Sequence, residues 1–178
     1  FVRADIFVVT KADGIGEEEM GIMTRNIQKT AGEKPVFFSG LSYQQPLPIQ
    51  HRNPIGGKVV LVSGIAKNSH FEKAASKFYE VTKHFRFEDH HVYSREDIER
   101  IQRSADEWKV DSILTTEKDM VKLITHQLLP LLQIKNWFYL PVEAVFLKDG
   151  MHFDKLLTSM VKDKIQKLSP LKNPDSLN

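Results

Sequence analysis

Apolar residues in this chain fall into two recurring patterns that take turns along its length. Residues 4–10 (ADIFVVT) and Lys58–Ser63 (KVVLVS) are unbroken apolar runs with β-branched residues, the pattern of strands covered on both faces of a parallel sheet. After the first run, three glutamates at 17–19 load the start of a segment in which Met20, Ile22, Met23 and Ile27 recur at helical spacing until Gly32, so a helix is predicted there. Residues 35–39 (PVFFS) read as the next strand. The second run precedes a predicted helix over residues 69–81 with Phe71, Ala74, Ala75 and Phe78 inward. Residues 85–87 read as a short strand, and Ser94 with Asp97 forms a capping-box start to a helix reaching Glu107. Strands over 111–115, 137–140 and 142–147, a helix from Glu117 to Leu123 and an amphipathic closing helix over 153–168 complete the pattern.

Between 40 and 57 the periodicity dissolves into Pro46, Pro48 and Pro54 with several glutamines, a composition that breaks both helix and central strand. Residues 40–57 are therefore read as a linker, 1–39 as the last elements of one lobe, 58–168 as an α/β lobe and 169–178 as a disordered tail. Alternating strands and helices predict an α/β fold with a largely parallel sheet, whose ligands lie at the loops following the strands.

The chain has 178 residues, 41% hydrophobic and 27% charged, enough for a sizeable buried core. A net charge of +2 with both signs interspersed does not predict nucleic acid as a partner. Lys162, Lys164, Lys167 and Lys172 make the end locally basic and are read as a solvated face. No cysteine is present, which excludes disulfides and thiolate chemistry. There is no apolar window long enough to span a bilayer, and the opening at Phe1 reads as a cut rather than a natural start.

Four polar clusters follow predicted strands: Thr10-Lys11-Ala12-Asp13, Gly64-Ile65-Ala66, Asp89-His90-His91 and Thr115-Thr116-Glu117-Lys118-Asp119. An imidazole beside a carboxylate acts as acid, base or charge stabiliser near neutrality, which makes His90 with Asp89 the catalytic candidates. The plainer reading of Asp-His-His is an exposed turn. A third is a metal-dependent phosphoesterase, but the further acidic ligands it needs are missing, so no metal site is assigned. Hydroxyls, carboxylates and an ammonium at the start of a helix suit phosphate or sugar, although Thr115 or Thr116 as a cap explains them equally. Lys11 and Asp13 match the element by which P-loop GTPases read a guanine base. No G-x-x-x-x-G-K-[ST] loop occurs; Gly56-Gly57-Lys58 continues into Val59.

Taken in order, Arg3-Ala4-Asp5 before a strand, Gly64-Ile65-Ala66 followed by Phe71, Asp89-His90, Thr116-Glu117-Lys118-Asp119 and the terminal WFYLPV over 137–142 resemble the tetraacyldisaccharide 4'-kinase family across residues 1–168. The resemblance implies a Rossmann-like three-layer lobe, plus the last elements of an N-terminal P-loop NTPase lobe. It implies transfer of the ATP γ-phosphate, with Mg²⁺, to the 4' hydroxyl of tetraacyldisaccharide 1-phosphate at the cytoplasmic face of the bacterial inner membrane, during lipid A (lipopolysaccharide) biosynthesis. Contact with the membrane surface would run through the full-length protein. The family pairs an Asp from the other lobe with a His that maps onto His90. By the same resemblance Gly64, Ile65, Ala66, His91, Thr116, Glu117, Lys118 and Asp119 are expected to bind substrate or nucleotide. One departure stands out: Lys67, Asn68 and Ser69 occupy the stretch where the family carries a Pro. The alternative reading is a non-catalytic nucleotide-binding module related to P-loop GTPases.

Overall fold

A computed structural model describes residues 3–50 and 53–168. The predicted disordered tail, 169–178, lies outside the described residues. The described residues fall into two compact units, one formed by those up to 42 together with those from 144 onward, the other by those from 43 to 143.

The second unit is built on strands β4 (Lys58–Ser63), β5 (Glu80–Arg86), β6 (Ser112–Thr116) and β7 (Asn136–Leu140), with β3 (Leu47–Pro48) at one edge. The sheet order is β3-β7-β6-β4-β5. All neighbours are parallel except β3, which runs antiparallel to β7. Both faces of the central strand are covered, which is why it shows no apolar/polar alternation. Val59 and Leu61 pack with Phe71, Ala75, Leu114, Phe138 and Leu140 on one face. On the other, Val60 and Val62 meet Ile98, Ile101, Ala105, Ile113, Leu123 and Trp137. Helix α2 (Asn68–Ala75) therefore covers one side, while α3 (Arg95–Glu107) and α4 (Glu117–Leu123) cover the other. This is the expected three-layer α/β arrangement.

Two expectations shift here. Helix α2 ends at Ala75 rather than 81, and Phe78 is 72% exposed instead of inward. The amides of Phe78 and Tyr79 both turn back to the Ala75 carbonyl, and the β-branched pair Val81-Thr82 continues as β5 beside β4. The stretch predicted as a linker also supplies β3, where Pro48, with no N–H to donate, sits on an edge strand.

The first unit contains β1 (Phe7–Val9), α1 (Glu17–Ala31), β2 (Val36–Tyr43), β8 (Val142–Phe146) and α5 (Gly150–Leu168), with sheet order β1-β2-β8 and β1 parallel to β2. Helix α1 carries three glutamates in its first turn and stops at Gly32, whose φ of 78° suits a residue without Cβ. The closing helix, assigned from sequence to the second lobe, packs instead in this unit. Phe153 meets Phe37 edge-on at 5.2 Å and lies 4.4 Å from Phe146, and the Leu147 amide donates to the Phe38 carbonyl.

Candidate functional site: a crevice at the carboxyl ends of β4, β5 and β6

In the second unit the chain leaves β4 toward β5 on one side and β6 toward β7 on the other, so the strand order reverses between β4 and β6. Open α/β sheets bind ligands at such a switch point, outside the carboxyl ends of the strands. Three of the four polar clusters stand there: Gly64 after β4, Asp89-His90-His91 after β5, and Thr116 through Asp119 after β6.

Asp119 is the centre of this arrangement. Its carboxylate is fully buried, with Oδ2 accepting from the Gly64 amide at 2.8 Å and the Thr116 hydroxyl at 2.8 Å, and Oδ1 accepting from Lys122 Nζ at 2.8 Å. Thr116 caps α4 in return by accepting from the Asp119 amide at 3.1 Å. The Tyr93 ring is nearly as buried, and burial first, then the Asp119 charge, push its phenol up from the ordinary value. Gly64 is held against this group: a Cβ there would stand 3.2 Å from Asp119 Oδ1 and 3.3 Å from both the Glu88 carbonyl oxygen and His91 Cβ. Side-chain volume is thus excluded where the strand end, the β5 loop and α4 converge.

The Asp89-His90-His91 turn is anchored on both flanks. Asp89 Oδ1 accepts from Lys118 Nζ at 2.8 Å and from the His90 amide at 3.0 Å. The Lys118 hydrogen bond is the main reason the Asp89 carboxyl is held below its usual value. On the other flank, His91 stacks on Phe87 at 4.3 Å and its Nε2 lies 3.0 Å from Asp97 Oδ2. Asp97 also accepts from the amide and hydroxyl of Ser94, completing the capping box read from sequence. Burial opposes ionisation of Asp97, but the bonds from Ser94 and His91 outweigh it and hold the carboxyl low. Between these anchors His90 takes a left-handed φ of 64° and leaves its side chain 78% exposed. A non-glycine residue in that region is uncommon and is held by its surroundings.

Of the remaining predicted residues, Glu117 ties its Oε2 to the Val142 amide at 3.0 Å, Ile65 packs partly under the α2 side of the sheet and Ala66 is exposed. Lys11 and Asp13 belong to the other unit. There Lys11 has φ 57°, and Asp13 Oδ1 accepts from the Leu41 amide at 2.7 Å, so one of the two oxygens that a base-reading carboxylate uses is occupied by backbone. Sequence reasoning missed a buried polar group next to the crevice: Ser63, the last residue of β4, reaches His84 of β5 and Asn68 of α2. The only signal was a hydroxyl at the end of an otherwise apolar run.

A curated tetraacyldisaccharide 4'-kinase of Bdellovibrio bacteriovorus is 32% identical over 128 residues, covering 68% of this chain and 37% of that protein. One from Parabacteroides distasonis is 29% identical over 177 residues, covering 92% of this chain and 48% of that protein. The chain thus spans less than half the length of these two relatives. A crystal structure described as the "apo" form of LpxK from Aquifex aeolicus in complex with ATP aligns with a TM-score of 0.48 at 19% identity, over 86% of this chain and 51% of that one. The family model for the tetraacyldisaccharide-1-P 4'-kinase, LpxK, matches residues 2–162, a span that takes in the Gly64 loop, the Asp89-His90 turn and the α4 start together, and on that match the chain belongs to this kinase family.

Proposed function

We propose that this chain is the C-terminal part of an ATP-dependent kinase that phosphorylates the 4' hydroxyl of tetraacyldisaccharide 1-phosphate, and that its second unit forms one wall of the reaction cleft. The observation that carries this reading is the convergence of Gly64, the Asp89–Lys118 pair and exposed His90 at the switch point of a parallel sheet, in a chain whose family is named for that reaction. Phosphoryl transfer asks a protein mostly for positioning and charge stabilisation, and this crevice offers both. His90, projecting from a turn fixed on each side, orients the carboxylate, supplied from the other lobe in the family pattern, that accepts the hydroxyl proton. Lys118 offers an ammonium to phosphate oxygens while keeping Asp89 ionised.

The 178 residues contain no G-x-x-x-x-G-K-[ST] sequence, and the chain spans under half of each of those two relatives. The phosphate-binding loop and the full nucleotide site are therefore assigned to residues outside this chain, and the isolated chain is expected to be inactive. Among the described residues no three His, Asp or Glu side chains gather into a metal-binding set. Mg²⁺ is assigned to the other lobe, and no step here depends on it. On this reading the enzyme works at the cytoplasmic face of the bacterial inner membrane. Membrane contact is assigned to the full-length protein; no described helix is long and apolar enough to cross a membrane.

The test is a transfer assay with the full-length protein, radiolabelled ATP or GTP, and tetraacyldisaccharide 1-phosphate in detergent micelles. Label on the 4' position from ATP is the expected result. Absence of labelled lipid, or transfer from GTP alone, would overturn the assignment.

A further inference from the structure

Ser63 is fully buried at the last position of β4, one residue before the crevice glycine. Its Oγ donates to Asn68 Oδ1 at 2.7 Å and lies 2.7 Å from His84 Nε2. A hydroxyl has one proton, so with that proton on Asn68 the imidazole must donate to Oγ. The other ring nitrogen, Nδ1, is buried without a hydrogen-bond partner, 3.4 Å from Glu72 Oε2. The His84 side chain is 3% exposed, and its ring meets Phe71 edge-on at 6.0 Å. None of these groups touches the Asp89–Lys118 pair, yet Ser63 and Asn68 bracket the loop 64–67, whose Gly64 amide Asp119 holds from the opposite side.

We infer that His84 is a positioning residue for the kinase site: through Ser63 and Asn68 it fixes the loop 64–67 at the crevice, so that phosphoryl transfer depends on a buried imidazole that never meets substrate. This inference rests on the kinase reading above. A buried polar network under a loop sets one geometry only while each donor finds its acceptor. The charged groups facing His84 are Glu72 from α2 and Arg86 on its own strand, the latter bound to Glu72 at 2.7 Å. Burial first, then Arg86, lower the His84 pKa, while Glu72 pulls the other way. When charged, the ring donates both to Ser63 and toward Glu72. A neutral ring keeps only one of the two, and the Nδ1–H form makes Ser63 turn to donate to Nε2 and release Asn68.

The experiment compares full-length wild type, His84→Gln, His84→Ala and Asn68→Ala by steady-state kinetics across pH and by amide hydrogen exchange of residues 64–67. Gln places a non-titrating N–H near the Nε2 position. His84→Ala and Asn68→Ala are expected to lower kcat about 10-fold and to speed loop exchange, because small misplacements are costly in catalysis. His84→Gln is expected to restore kcat to within about 3-fold while removing the fall in rate that deprotonation of His84 causes as pH rises. Asn68 is only partly buried, so its variant tests the link without opening the core. Wild-type kcat with wild-type loop exchange in Asn68→Ala would overturn the inference, as would His84→Gln behaving like His84→Ala. A wild-type protein that transfers no phosphate would instead sink the kinase reading, leaving loop exchange to decide the positioning claim.

Discussion

Replacing Asp119 by Ala removes a buried carboxylate that joins the β4 loop to α4. Three donors lose their acceptor: the Gly64 amide, the Thr116 hydroxyl and Lys122 Nζ. A buried amide left unpaired costs about 1–3 kcal/mol. Breaking a fully buried ion pair from one side costs about 3–5 kcal/mol, but the Lys122 side chain is 24% exposed and hydrates on release, so that part shrinks toward the surface value of about 1 kcal/mol. Thr116 can turn its hydroxyl to other acceptors, and the three losses are not additive because they share one carboxylate. The net expectation is a loss of about 3 kcal/mol. Asp119→Asn should cost less, about 1–2 kcal/mol, since an amide oxygen still accepts from Gly64 while its N–H₂ faces the lysine. Urea unfolding followed by tryptophan fluorescence measures this in the right unit, because Trp108 and Trp137, the two tryptophans, both lie within residues 43–143. A loss under about 1 kcal/mol for Asp119→Ala would refute the reasoning that this carboxylate holds the crevice together.

Other perturbations follow from the same geometry. Gly64→Ala should destabilise the second unit by about 1–3 kcal/mol by overpacking, because the added Cβ meets the Glu88 carbonyl and His91 as well as Asp119; unfolding midpoints check it. Phe71→Ala should cost about 3–5 kcal/mol and Phe78→Ser less than about 0.5 kcal/mol, since the first is fully buried and the second mostly exposed. Lys118→Met should raise the Asp89 carboxyl toward the ordinary carboxylate value, read by NMR titration, because Lys118 is the main group holding it down. The sign follows from linkage: a depressed carboxyl favours the fold above its unfolded value, and that contribution is lost as pH falls through the folded one.

What the sequence made legible was the periodic part. The unbroken run Lys58–Ser63 predicted a strand covered on both faces, whereas the run over 4–10 yields only the short β1, whose Val8 is 41% exposed; the Ser94–Asp97 spacing predicted a capping box that the structure contains, and the order of polar clusters after strands predicted which loops share one end of the sheet. Three further things were not legible, each for a physical reason. Phe78 fits a helical stripe on spacing alone, but the β-branched residues after it pair with β4 and end the helix early. The closing helix carries an apolar face that suits either unit, and only the contacts of Phe153 with Phe37 and Phe146 show which one it covers. His84 falls between the predicted helix over 69–81 and the predicted strand over 85–87, and nothing local reveals that Ser63 and Glu72, from elements elsewhere in the chain, converge on its two ring nitrogens.

The central claim is that the turn after β5 presents a histidine to a phosphoryl-transfer reaction. The most direct measurement is the rate of 4' phosphorylation of tetraacyldisaccharide 1-phosphate by the full-length protein carrying His90→Ala. Because the His90 side chain is exposed, the substitution leaves the fold intact. A fall in kcat of about 10²-fold or more at unchanged thermal stability is predicted, the size of effect that misplacing the proton-accepting carboxylate produces. A wild-type rate would contradict the account.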